Sequence, residues 1–106
     1  MRFNQTSMYI VIFKAKIKQL DSTYSEMAQK LRNRALSQFN CAKFEACSEN
    51  GFEIALSYWH SLEDIKHWQQ DAEHQVAQRL GKEKWYQDFC VEICKVERAY
   101  SSQNGL

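Results

Sequence analysis

All three tryptophans (Trp59, Trp68, Trp85) and all three histidines (His60, His67, His74) of this chain fall between Glu53 and Tyr86. An imidazole titrates near neutrality, so a histidine facing a cavity can move a proton at physiological pH. Aromatic side chains can wall a flat pocket and stack on a planar molecule. The residue types in this stretch therefore suit proton transfer on a small aromatic or planar ligand. His74 is the candidate acid/base group, and Tyr58, Trp59, Trp68, Trp85 and Tyr86 are the candidate substrate-binding walls. Tyr58 also offers a hydroxyl to a substrate oxygen. The competing reading of these aromatics is ordinary core, and it weighs most for Trp68, which lies on the apolar stripe of its helix.

His74 meets a geometric objection. Asp64, His67, Asp71 and His74 recur at i, i+3, i+7 and i+10, which is one stripe of a continuous helix. Such a stripe can hold zinc or iron, but a solvated face of mixed charge gives the same pattern, and no metal site is expected. On one unbroken helix from Leu62 to Leu80, the apolar stripe is Leu62, Ile65, Trp68, Ala72, Val76 and Leu80. His74 then lies opposite it, facing solvent. A pocket role requires the chain to break or re-aim near Gln70-Asp71. Arg79 and Arg98 could steady an anionic oxygen, although surface ion pairing is the commoner use. The chain shows no Ser-His-Asp order, no glycine-rich phosphate loop and no dinucleotide fingerprint.

A chain of 106 residues makes one domain. Residues 8–100 form it, with tails at 1–7 and 101–106. Lys plus Arg is 14 and Asp plus Glu is 13, for a net charge of +1. That balance gives no electrostatic footprint for nucleic acid or an anionic membrane surface. The apolar run from Ile10 to Phe13 is far too short to span a bilayer, and the first residues lack a signal-peptide core. A cytoplasmic location is expected, with Cys41, Cys47, Cys90 and Cys94 as buried or half-buried free thiols.

The elements that must position the aromatic stretch follow from periodicity. Met8 to Lys16 alternates as a strand with apolar groups on both faces. Asp21 to Thr23 opens a helix that ends near Gln38. Thr23 and Glu26 have capping-box spacing, Tyr24, Met27, Ala28, Leu31 and Ala35 form the apolar stripe, and Lys30, Arg32 and Arg34 are expected in solvent. Ala42 to Ser48 and Phe52 to Trp59 form a hairpin closed by Asn50-Gly51. Ser61 caps the next helix, Gly81 is a plausible stop, and Phe89 to Tyr100 is a long last strand with a bulge hinted at Val96. The order β-α-β-β-α-β predicts an α+β, ferredoxin-like sandwich. Helices cover one sheet face, yet apolar residues point to both, so a homodimer packed sheet to sheet is expected.

Several short motifs carry a resemblance. They are Ser57-Tyr58-Trp59 followed by Ser61-Leu62-Glu63, Ile65-Lys66-x-Trp68, Ala72-Glu73-His74-x-x-Ala77, and Gly81 ahead of Trp85-Tyr86. The pattern continues into Val91-Glu92-Ile93 and Lys95-Val96-Glu97-Arg98. With this element order, the chain resembles the antibiotic biosynthesis monooxygenase domain family, a branch of the dimeric α/β-barrel superfamily. The resemblance implies a small dimer with a mostly apolar cavity. It also implies either oxidation of a phenol or quinol by O2 without metal or flavin, or haem binding and degradation, or ligand binding without catalysis. Haem-degrading members use a first-strand Asn, a second-helix Trp and a later axial His. Trp68 matches the Trp, the first strand here holds no Asn, and Gln78 stands nearest the usual ligand spacing. The expected function is therefore a cofactor-independent monooxygenase, with haem as the alternative cofactor.

Overall fold

The computed structural model describes residues 7–102, so most of both expected tails lies outside the described residues. The elements run β1 (Tyr9–Ile17), α1 (Ser22–Gln38), β2 (Lys43–Glu49), β3 (Phe52–Trp59), α2 (Leu62–Gln70), α3 (Ala72–Leu80), a π-helical turn (Gly81–Trp85) and β4 (Tyr86–Lys95). The strands form one antiparallel sheet in the order β2-β3-β1-β4. Both crossover connections pass over the same face, which gives the α+β, ferredoxin-like arrangement. Among the described residues no helix is long and apolar enough to cross a membrane.

The β2–β3 turn forms for the reason its sequence suggests. Asn50 and Gly51 both take positive φ, 53° and 80°, as the tight primed turns require. Strand alternation then divides the side chains between two faces. Val11 pairs with Ser57 and Tyr9 with Trp59, and these residues face the helices. Val11, Trp59, Ile65, Trp68, Ala35 and Cys41 form the buried cluster. The other face carries Ile10, Ile12, Ile54, Leu56 and Tyr58, with Phe52 at 47% exposure.

Local expectations change where tertiary contacts intervene. The cap of α1 is Asp21 rather than Thr23: its Oδ1 accepts from the Thr23 and Tyr24 amides, each at 3.1 Å. The same oxygen accepts from Trp85 Nε1 at 3.0 Å, which ties the helix start to the π turn. Arg32 and Arg34 are not simply solvated. Arg32 donates to the Phe44 carbonyl at 3.0 Å, and Arg34 grips Asp71. Leu62 and Ala72, expected on the apolar stripe, are exposed. Cys41 is buried, but Cys47, Cys90 and Cys94 are exposed, contrary to the expectation for these three thiols.

The last strand ends at Lys95, not Tyr100, because its partner ends there. Tyr9 faces Lys95, and one further bond runs from the Val96 amide to the Met8 carbonyl at 2.8 Å. The register shift lies between Lys16 and Ile17, at the start of β4 rather than at Val96. One prediction follows from the shared cap. Asp21→Ala removes the acceptor for two helix amides and leaves the buried Trp85 N–H unpaired. Chemical denaturation should show a loss of about 2 kcal/mol, whereas Thr23→Ala should cost much less.

Candidate functional site

A cavity of about 440 Å³ separates the helices from the sheet. Its floor is Val11 and Phe13 of β1 with Glu53, Ala55 and Ser57 of β3. Phe44 and Ala46 close one edge, Phe89 and Val91 the other, and α1 and α3 form the roof. The lining is largely apolar, with a few polar groups, as small-molecule sites usually are.

The feature that shapes this site is the break between α2 and α3. Asp71 leaves the helix in an extended conformation, φ −60° and ψ 142°. No proline or glycine causes this break. Arg34 of α1 holds the Asp71 carboxylate in a two-pronged ion pair, Nε to Oδ2 at 2.8 Å and Nη2 to Oδ1 at 2.6 Å. The fixed fork of a guanidinium matches a carboxylate in this way. The pair is half-shielded from solvent, and the guanidinium holds the Asp71 carboxyl below its usual range. Asp71 also caps α3 with its backbone, its carbonyl accepting from the Gln75 amide at 3.0 Å, and Gln75 Nε2 donates back to the Gln69 carbonyl at 2.7 Å.

The break re-aims α3, and His74 turns inward to line the cavity. Its ring meets Trp68 edge to face, centroids 4.6 Å apart and planes at 79°. Its Nδ1 is buried and has no hydrogen-bond partner among the described residues. An orphaned buried polar atom costs roughly 1–3 kcal/mol, so such atoms need a reason to persist. Burial holds the imidazole below its usual 6.5, against the pull of the nearby Asp71 carboxylate. At neutral pH the ring is therefore uncharged and able to take a proton. The break also divides the Asp64, His67, Asp71 and His74 stripe between two helices. His67 instead meets Glu63 at 3.5 Å, and no group of three His, Cys, Asp or Glu side chains gathers among the described residues.

The aromatic candidates divide. Trp68, Trp85 and Tyr86 line the cavity. Trp59 does not: it is 0% exposed, donates from Nε1 to Ser57 Oγ at 2.8 Å and backs Trp68 at 5.2 Å between ring centroids. Tyr58 lies on the opposite sheet face, with the Lys43 ammonium 5.4 Å from its ring, and cannot reach a ligand in this cavity. Arg79 and Arg98 are exposed and outside the lining. Many of the cavity's lining residues were not site candidates from sequence; Tyr24, Glu53 and the cation Arg32 are among them. Tyr24 stacks edge-on against Trp85 at 5.1 Å and against Tyr86 at 6.1 Å, and Glu53 faces the same end. Their signals were present but weak: Tyr24 sits on the α1 stripe, and Glu53 is a charge on the otherwise small-residue face of β3.

Gly81 does not terminate a helix through a left-handed residue. Its φ is −58°, and the chain continues into the π turn. A Cβ there would lie 2.9 Å from two carbons of the Tyr86 ring, so glycine lets that ring pack into the cavity wall.

The Arg34–Asp71 pair can be tested by replacing Arg34 with methionine, which keeps the stem and removes the fork. The break loses its external hold, and His74 gains solvent. Its titration, followed by NMR, should move up towards 6.5; an unchanged value would mean that the break is fixed by local contacts alone.

No protein-family model matches the chain. The Bacillus subtilis (strain 168) protein YqjZ, itself uncharacterised, is 35% identical over 91 residues, spanning 85% of this chain and 80% of YqjZ. Among solved structures, a proposed antibiotic biosynthesis monooxygenase from Caulobacter crescentus CB15 aligns with a TM-score of 0.73 at 12% identity, covering 88% of this chain and 92% of its own. A variant of SnoaB, a cofactor-independent oxygenase from Streptomyces nogalater, aligns with a TM-score of 0.73 at 4% identity, covering 87% and 95%. At such identities these likenesses establish a shared fold.

Proposed function

We propose that this chain, which belongs to one family with YqjZ and has the fold of the antibiotic biosynthesis monooxygenases, is a monooxygenase-type oxidoreductase acting on a small aromatic or quinol-type molecule without metal or flavin. The observation that carries the reading is His74: an uncharged imidazole on the cavity wall, with a buried nitrogen that has no hydrogen-bond partner among the described residues. A substrate that supplies the missing polar partner would recover what the orphaned atom costs.

The chemistry balances with O2 as the only oxidant. The imidazole takes a proton from an activated ring C–H, and the resulting anion transfers electrons to O2 and combines with it as a peroxide. The imidazolium returns its proton as the O–O bond breaks and water leaves. One carbon exchanges two hydrogens for a carbonyl oxygen, and the second oxygen atom becomes water, so the substrate is the reductant. Trp68, Trp85 and Tyr86 hold the planar substrate, and the apolar lining keeps bulk water from the anion.

The haem reading fits the cavity less well. At the position nearest the usual ligand spacing, the lining offers the Gln78 amide rather than an imidazole, and the imidazole present is packed edge-on against Trp68. A homodimer belongs to the proposal, because the helix-free sheet face exposes Phe52 and Ile54 beside Ile10, Ile12 and Leu56. Light scattering at micromolar concentration should give twice the chain mass. Four free thiols are consistent with the reducing cytoplasm.

The test of activity is O2 consumption across a panel of fused-ring phenols and quinols, with catalase present. One O2 consumed per product carbonyl formed supports the reading. Saturable binding without any turnover would make the protein a binding module, and hemin binding with a shifted Soret band would revive the haem alternative.

A further inference from the structure

The cavity has a second polar end, which the proton-transfer step does not use. Glu53 stands opposite Ala15 in the β1–β3 register, and Ala15 is 2% exposed. On this face of β3 the other residues are Ala55, Ser57 and Trp59, so a carboxylate there departs from the pattern of a packed core. Among the described residues Glu53 is the one carboxylate lining the cavity, and no cation forms an ion pair with it. Ser48 donates to one carboxylate oxygen, Oε1, at 2.5 Å and so fixes the side chain. Tyr24 and Tyr86 complete this end, their rings edge to face at 6.1 Å.

We propose that Glu53, with Tyr24 and Tyr86, forms a specificity subsite that accepts a hydroxyl or amino N–H at the far end of the planar ligand and excludes a carboxylate there. The proposal rests on the cavity being the binding site for a planar molecule, as argued above. A carboxylate met by the hydroxyls of Ser48 and Tyr24 still retains lone pairs that a further donor can fill, and a charged acceptor makes the stronger kind of hydrogen bond. Both phenols stay protonated at neutral pH: burial raises each above its usual 10, and Glu53 pushes in the same direction. An anionic ligand group at this end would meet Glu53, while the one Lys or Arg among the described lining residues, Arg32, is engaged with the Phe44 carbonyl at the other.

The two polar ends are separated along the sheet. His74 packs on Trp68, which packs on Phe44 and Trp59, and Phe44 pairs with Ser57. From Ser57 to Glu53 is four residues of extended strand, roughly 13 Å. The ligand class that uses both ends is a fused-ring molecule with polar substituents at its two extremities: one near the ring carbon that His74 deprotonates, the other a hydrogen-bond donor to Glu53.

The test uses two probes that differ in one group, a naphthalene diol with hydroxyls at opposite ends and the matching hydroxynaphthoate, titrated against tryptophan fluorescence. The wild-type protein should bind the diol roughly tenfold or more tightly than the acid. Glu53→Gln keeps the shape and removes the charge, and it should bring the two affinities within about threefold, chiefly by tightening the acid. Equal affinities in the wild-type protein, or a preference unchanged in Glu53→Gln, would overturn the subsite while leaving the cavity as a binding site. If the glutamine variant does not fold by circular dichroism, the wild-type comparison decides alone. Failure of every planar probe to quench the wild-type protein would overturn the broader reading, and the subsite with it.

Discussion

If His74 is the proposed base, replacing it with alanine should lower turnover by about 10²–10⁴-fold, the range a positioned acid/base group supplies, and should weaken substrate binding by the polar contact its nitrogen would make. The expectation rests on the imidazole lining the cavity, set edge-on against Trp68, with a buried nitrogen that is unpartnered among the described residues. His74→Phe sharpens the test. A phenyl ring can keep the contact with Trp68 and brings no orphaned nitrogen, so that variant should be as stable as the parent or more so, yet inactive. Stability retained with activity lost marks a group kept for chemistry. If His74→Phe still turned over substrate at the parental rate, the imidazole would be a packing residue and the proposed proton transfer would fall.

The same group sets a pH signature. Its folded-state pKa lies below the usual 6.5, burial being the main cause and the Asp71 carboxylate opposing it. The base is active when neutral, so the rate should rise as pH increases through this depressed value and be level by neutrality. The stability link runs the same way. Above the unfolded value the imidazole is neutral in both states and stability is complete. As pH falls below it, the unfolded chain takes up a proton before the folded one does, and stability declines until the folded-state value is passed. His74→Phe should remove this part of the acid-side loss, which thermal melts between neutrality and mild acidity can measure.

Why the inward turn of His74 was not legible follows from where its cause lies. Helices break at proline or glycine often enough for sequence to announce it, and Gln70-Asp71-Ala72 contains neither. The contact that grips Asp71 there comes from Arg34, 37 positions earlier and on another helix. Periodicity could state only the condition, that a pocket role needs a break near Gln70-Asp71. The hairpin was legible because its determinants are local: Asn50 and Gly51 accept positive φ, and β3 alternates cleanly from Phe52 to Trp59. Alternation also placed Tyr58 and Trp59 on opposite faces, but it cannot tell which face the helices will take. Tyr58 went to the helix-free face and Trp59 to the helix side, so far inside that it lies behind the cavity wall. β4 is shorter than its run of apolar residues suggests, for a related reason. Its apolar residues run on past Lys95, but a strand needs a partner, and β1 ends opposite that residue.

Trp59 supports the cavity without touching its contents, which gives the largest stability effect expected here. Its indole is fully buried, its N–H bonds to Ser57 Oγ at 2.8 Å, and its ring lies 5.2 Å from that of Trp68. Removing a buried tryptophan side chain costs about 3–5 kcal/mol, against a total of about 5–15 kcal/mol for a domain. Trp59→Ala should therefore lower the melting temperature by roughly 15–25 °C. The loss is also directional. Trp68 would lose its backing, and with it the surface against which the His74 ring is set at 4.6 Å. Turnover should fall in whatever fraction remains folded, through misplacement of the base. A residue that walled the ligand would behave differently, raising KM with stability nearly intact. Trp59→Phe separates the two cases, since a phenyl ring restores most of the buried area but not the N–H donor. It should recover most of the lost stability, and the rate should recover with it. If Trp59→Ala instead melted like the parent and only KM rose, Trp59 would have to face the ligand, and the inward limit of the cavity would have to be redrawn.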